Sequence, residues 1–227
     1  MDPRQDKLLK LIIDSYIATA EPVGSRFLVE AGNLDISDAT VRNEMRELED
    51  AGYLTHPHTS AGRIPTEQGY RFYVEQLIEP EELPNTLKNE LRNVVGQQAS
   101  DKTIALKNIG KAVADEMHNA VLIAFGPNSV YYTGISGLFS QPEFVDVHQT
   151  INVSEMFDRC EELIHDVFDR VLDTKPTMFI GSDNPLGSMS SLIVTRLPGN
   201  CLFTIMGPLR MDYGKGQKII ECVRELF

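Results

Sequence analysis

The chain has 227 residues, 42% hydrophobic and 24% charged, enough apolar material for a folded protein of one or two domains with a real core. Its net charge of −12 argues against a protein that holds nucleic acid by general basicity. No apolar run approaches the roughly 18 to 20 residues of a membrane span, so a cytoplasmic protein is expected.

In chain order, residues 4 to 20 place Leu8, Leu9, Ile12, Ile13, Tyr16 and Ile17 at helical spacing. "EPVGS" supplies a turn, after which Ser25 is expected to cap a short second helix. "GNLDIS" interrupts again, and Ser37 is the expected N-cap of a third helix that carries Val41, Met45 and Leu48 inward, with Gly52 as its stop. "YLTHP" predicts a short strand, "HTSAGRIP" a loop, and Thr66 the cap of a fourth helix through "EQGYRFYVEQLIE".

Residues 79 to 86, "EPEELPNT", are acidic and Pro-containing and mark a boundary. Beyond it, Leu87, Leu91, Val94 and Val95, then Ile104, Ile109, Val113 and Met117, outline two amphipathic helices. Their stripes either pack within one protomer or form a dimer interface. "AVLIAFG", "SVYYTGI", "PTMFIGS", "SSLIVTRL" and "CLFTIMG" predict strands, with helices around 154 to 172 and 212 to 226. This half reads as α+β, without repeats or low-complexity segments.

Three short helices followed by a strand and a tight loop are the plan of a winged helix-turn-helix. With Val41, Met45 and Leu48 inward, Ala39, Thr40, Arg42, Asn43 and Arg46 face the opposite side. Arg can pair bidentately with guanine, Asn with adenine, and Thr can contact a phosphate or a thymine methyl. A solvated face of mixed charges is the competing reading. Glu44, Glu47, Glu49 and Asp50 crowd the far end, where they would repel DNA. In the loop, Arg63 stands after Gly62 and is expected to display its guanidinium above phosphates or a minor groove; Ser60, His58 and His56 can add hydrogen bonds. Ser25 and Arg26 can bind a phosphate at the start of the second helix. Residues 1 to 78 hold eight Lys/Arg against thirteen Asp/Glu, so a DNA-binding role requires the cations to be sorted onto one face.

Catalysis finds little support. There is no P-loop, GxSxG, HExxH or CxxC, and "SDN" at 182 to 184 lacks its companions, so Asp183 and Asn184 are expected to shape a turn. "GPLRMDY" reads as a strand-to-helix turn with Asp212 near the next N-terminus. The HxH pair has no further ligand cluster, so no metal or other cofactor is expected. Cys160, Cys201 and Cys222 are widely separated and imply buried, reduced thiols rather than a disulfide framework.

"LLKLIIDSYIATAEPVGSR", "ATVRNEMRELEDAGYLTHPHTSAGRIPTEQGYRFYV", "YYTGISGLFSQPEF" and "GPLRMDY" together resemble the heat-inducible transcription repressors of the HrcA family. The resemblance implies a winged helix-turn-helix domain (1–78), a linker with amphipathic helices that could dimerise (79–118) and a truncated GAF-like α+β domain (119–227). It further implies a homodimeric repressor of chaperone genes that binds double-stranded DNA at an inverted-repeat operator and depends on a GroEL-type chaperonin. Family members are longer between "AVLIAFGPNS" and "VYYTGIS", where they carry the rest of the GAF-like sheet and an inserted domain. A GAF-like domain also leaves open a regulator controlled by a small molecule.

Overall fold

The structure, a computed structural model, describes residues 2–32, 37–58, 61–80, 82–97 and 101–227. It divides into two compact units, Met1–Glu79 and Pro80–Phe227.

In the first unit, α1 (Pro3–Thr19) starts at Asp2, whose carboxylate accepts from Arg4 N and Gln5 N at 2.9 Å each while Gln5 reaches back to close a capping box. Leu8, Leu9, Ile12 and Ile13 are fully buried on its inner face. The next helix, α2 (Ser25–Ala31), departs from the expected cap: Gly24, in extended conformation, is the N-cap, Ser25 is the first helical residue, and no side chain caps the turn. Helix α3 (Asp38–Asp50) begins as expected, with Ser37 Oγ accepting from Thr40 N at 3.2 Å. Val41, Met45 and Leu48 are buried, and Gly52 takes a φ of +83° just past the C-cap.

The loop expected after α3 contains a returning strand. β1 (Leu54–Thr55) pairs antiparallel with β2 (Ile64–Pro65), Leu54 opposite Pro65. Arg63, immediately before β2, exchanges both backbone hydrogen bonds with Val23 at 2.9 Å. Thr66 caps α4 (Glu67–Phe72) by accepting from Gly69 N and also donates to Gly52 O at 2.6 Å, tying the hairpin exit to the end of α3. The chain continues as a π-helical turn, Tyr73–Leu77, two residues short of the expected helix end.

In the second unit, β3 (Ala120–Ala124), β4 (Val130–Thr133), β5 (Thr177–Ile180), β6 (Ser191–Leu197) and β7 (Cys201–Gly207) occupy the expected segments. Among the described residues they form one sheet in the order β4-β3-β7-β6-β5, every neighbouring pair antiparallel. Alternation along the strands gives the sheet two buried faces. Ala120, Leu122, Leu192, Val194, Leu202 and Met206 pack on Val153, Phe157, Ile164 and Val167 of α8 (Val147–Asp158) and α9 (Cys160–Arg170). Val121 and Ile123 meet Gly110 of α6 (Lys102–Met117), and Ile193 meets Gly216 of α10 (Tyr213–Leu226).

Helices α5 (Asn85–Gln97) and α6 belong to this unit: their stripes are covered by each other, by β3 and by α10, with Leu87, Leu91, Ile109 and Val113 buried. Packing within the protomer therefore takes most of the apolar surface that could have served a dimer, although Ile104 stays exposed. Two short elements had no periodic signal in the sequence, α7 (Ile135–Phe139) and the 3-10 turn Pro142–Val145.

Candidate nucleic-acid interface

The outward face of α3 carries Ala39, Arg42, Asn43 and Arg46, all exposed. Thr40 is half-buried, with its hydroxyl 2.9 Å from Ser37 Oγ. Arg42 Nη2 donates to Asp38 Oδ2 at 2.5 Å, one turn earlier, yet its side chain remains 69% exposed. Such an exposed pair is weak and orders the guanidinium more than it neutralises it. Arg46 and, on α2, Arg26 are exposed and make no ion pair among the described residues. Ser25 sits beside Arg26 in the first turn of α2, where no side chain occupies the free N–H groups.

Two of the four acidic residues of α3, Glu44 and Glu49, are drawn out of the repulsive cluster expected of them. Glu44 is 4% exposed and turned inward, with Arg4 Nε of α1 2.5 Å from its Oε1. That contact is an ion pair without hydrogen-bond alignment, since neither Glu44 oxygen has a hydrogen-bond partner among the described residues. Glu47 accepts from Gln5 Nε2 at 2.8 Å. Glu49 is held by His56 Nδ1 and by Arg63 Nη2, the latter at 2.7 Å. Asp50 alone of the four is exposed and unaccounted for among the described residues. Spacing contained part of this signal: Glu44 lies three residues after Val41 and four before Leu48, on the buried stripe. Arg4 and Gln5 gave no such sign, because their partners lie on another helix.

Arg63 corrects the expectation of a displayed cation. Its side chain is only 24% exposed, its Nε is buried without a hydrogen-bond partner among the described residues, and its guanidinium folds back onto Glu49. The cause is the backbone pairing with Val23, which seats residue 63 at the base of the hairpin rather than at its tip. His58 is exposed, and its carbonyl accepts from Ala61 N at 2.9 Å. Ser60 lies outside the described residues.

In the second unit the residues weighed as candidates for chemistry hold structure. Arg210 of "GPLRMDY" pairs with Glu143 and donates to Gln141 Oε1 at 3.1 Å. Asp212 caps α10, and Tyr213 OH donates to Leu209 O at 2.7 Å. Asn184 donates to Ser190 O and Oγ and accepts from Leu186 N, shaping the expected turn. Cys160, Cys201 and Cys222 are buried free thiols, and desolvation pushes Cys201 up to about 11. A cleft of about 310 Å³ opens between α8 and the loop before β6, lined by Asn152, Val153, Met156, Leu186, Met189 and Met206 among others. Among the described residues no group of three or more His, Cys, Asp or Glu could hold a metal, and no helix is long and apolar enough to cross a membrane.

Fold and face together define a two-unit α+β protein that presents arginine and asparagine from one helix. The family model of the HrcA protein C terminal domain matches residues 74–216, and the chain belongs to the HrcA family. The heat-inducible transcription repressor HrcA of Acetivibrio thermocellus is 45% identical over 135 residues, covering 55% of this chain and 38% of that protein. The protein of the same name from Desulforudis audaxviator is 58% identical over 81 residues, 36% of this chain and 24% of its own. The chain thus spans well under two thirds of the curated relatives it matches. A crystal structure of a hypothetical protein covers 100% of this chain and 98% of its own with a TM-score of 0.77 at 18% identity, and shares the fold.

Proposed function

We propose that the chain is a DNA-binding transcription repressor of heat-inducible genes whose first unit is a winged helix-turn-helix. α3 enters the major groove by its N-terminal half. The observation that carries this reading is the sorting of charge on α3: Arg42, Asn43 and Arg46 face outward, while Glu44 is buried against Arg4 and Glu49 is paired with Arg63. That sorting answers the objection raised by a net charge of −12, because a polyanion responds to the local field of the face it meets. Arg42 and Asn43 read base edges, Ala39 and Thr40 touch a thymine methyl or phosphate, and Arg46 pairs with the backbone. Ser25, Arg26 and His58 contact the sugar-phosphate rails, a role the sequence reading also assigns to Ser60.

The HrcA relatives support repression as the outcome, and the resemblance supports a homodimer on an inverted repeat, with half-sites separated by the roughly 34 to 36 Å helical turn of B-DNA or a multiple. A GroEL-type chaperonin would raise the amount of active repressor, so that a chaperonin occupied by unfolded clients relieves repression. The proposed setting is the cytoplasm.

The test is a salt titration of binding to an inverted-repeat duplex. Arg46→Ala should weaken every sequence and lower the salt slope by about 0.9, one phosphate contact, whereas Asn43→Ala and Arg42→Ala should cost about 1 to 3 kcal/mol of discrimination at single positions. Equal, sequence-blind effects from all three would overturn the assignment. Adding chaperonin to the same titration tests the second half.

The cleft beside α8 favours a second reading, a regulator that senses a small apolar molecule among Val153, Met156 and Met206, with Asn152 as a polar handle. A ligand-dependent rise in melting temperature across a metabolite panel would support it.

A further inference from the structure

One carboxylate of α3 grips both legs of the β1–β2 hairpin. Glu49 accepts from His56, which directly follows β1, and from Arg63 Nη2 at 2.7 Å, which directly precedes β2. Each strand of this hairpin is two residues long, so its own ladder offers too little pairing to fix its direction. Its base is held elsewhere. Arg63 exchanges both backbone hydrogen bonds with Val23, and Gly62 approaches that turn so closely that a Cβ would stand 2.5 Å from Val23 O. Arg63 therefore joins the α1–α2 turn by its backbone and the C-terminal end of α3 by its side chain.

We propose that Glu49 is a positioning residue for DNA binding, holding the hairpin at a fixed angle to α3 through Arg63 and His56, and that Arg63 serves the interface through this pair and not by touching phosphate. The inference rests on the DNA-binding reading. The guanidinium is largely withdrawn from solvent and its Nε has no hydrogen-bond partner among the described residues, so the carboxylate is its counter-charge. A phosphate would have to displace that carboxylate and leave it unpaired. The pair sums to zero charge, and its loss releases no extra counterion from DNA.

The experiment uses the full chain and a duplex enriched from a random-sequence pool by the wild-type protein. Affinity and salt slope are measured for wild type, Arg46→Ala, Glu49→Gln, Arg63→Ala, the double variant, and the exchange Glu49→Arg with Arg63→Glu. Glu49→Gln and Arg63→Ala should each lower affinity roughly five- to tenfold with the salt slope unchanged. The double variant should be no weaker than the weaker single, and the exchange should recover most of the loss. A slope lower by about 0.9 for Arg63→Ala, with Glu49→Gln binding as well as wild type or better, would show a direct phosphate contact and overturn the proposal. So would a fall in melting temperature with affinity untouched. Should Arg63→Ala not fold, Glu49→Gln and the exchange still decide the question. Failure of the wild-type protein to enrich any duplex would instead remove the DNA-binding reading itself, with Arg46→Ala then having no binding to lose.

Discussion

Arg210 and Glu143 lie 67 residues apart in the chain and face one another in the second unit, Nε donating to Oε1 at 2.5 Å and Nη2 to Oε2 at 3.2 Å. The same guanidinium reaches Gln141, whose amide nitrogen donates in turn to His118 O and Asn119 Oδ1 at 2.7 Å. A two-pronged arginine thus joins the β7 exit to the segment after β4. Removing it strands a carboxylate that is only 19% exposed. Arg210→Ala is expected to destabilise the second unit by about 3 kcal/mol, and Arg210→Lys by less, because an ammonium cannot supply the fork. Urea midpoints of the two variants check the ranking; equal midpoints would show that the fork contributes nothing beyond charge.

Gly62 and Gly24 lie on facing strands of backbone but differ in space. A Cβ on Gly62 would stand 2.5 Å from Val23 O, whereas a Cβ on Gly24 meets nothing within 4 Å. Gly62→Ala should cost more than about 2 kcal/mol, since backbone must move, and Gly24→Ala less than about 1 kcal/mol, reflecting its N-cap position. Thermal unfolding of both variants, followed by helical circular dichroism, gives the comparison.

Ser37 supplies the acceptor for Thr40 N at the head of α3. Ser37→Ala should lower stability by about 1 kcal/mol, and Ser37→Asp should preserve it, the aspartate both capping and matching the helix dipole. If DNA binding follows α3 order, the alanine variant should also bind more weakly at temperatures near its melting point and normally well below it, which a binding isotherm at two temperatures resolves.

Burial raises Cys201 from its ordinary 9.0 to about 11. A thiol that is harder to ionise in the fold than in the unfolded chain contributes stability in full below pH 9, and that contribution drains away as pH climbs toward 11. The wild-type protein should therefore lose stability over that alkaline window by on the order of 2 kcal/mol more than Cys201→Ala does. Denaturant titrations at pH 8, 9, 10 and 11 provide the difference; parallel curves for the two proteins would place the thiol in a wetter setting.

Much of this architecture is legible in residue order. The strands of the second unit are apolar runs bounded by Gly, Pro and Asn, and Val41, Met45 and Leu48 declare the inner face of α3 through their spacing alone. Ser37 and Thr66 cap as their chemistry suggests. What spacing cannot carry is the partner of a charge: Glu49 and Arg63 are 14 positions apart and meet only because Val23 pins the intervening hairpin. Ser25 misleads for a local reason, since a glycine in extended conformation immediately before it already provides the N-cap. Elements of four or five residues such as α7 are too short to show a period.

A short turn joins β3 to β4, where Phe125 N donates to Ser129 O at 2.8 Å and Gly126 turns the chain with a φ of +112°. Both strands are already in register before the turn begins, Ala124 opposite Val130. The junction is consequently modular: whatever length of chain is spliced there, the two strands meet it as finished edges, and the pairing beneath does not have to be renegotiated. It is the point at which the HrcA resemblance implies extra sequence, and strands paired up to both ends of the turn give an insertion there a place to enter without breaking the ladder.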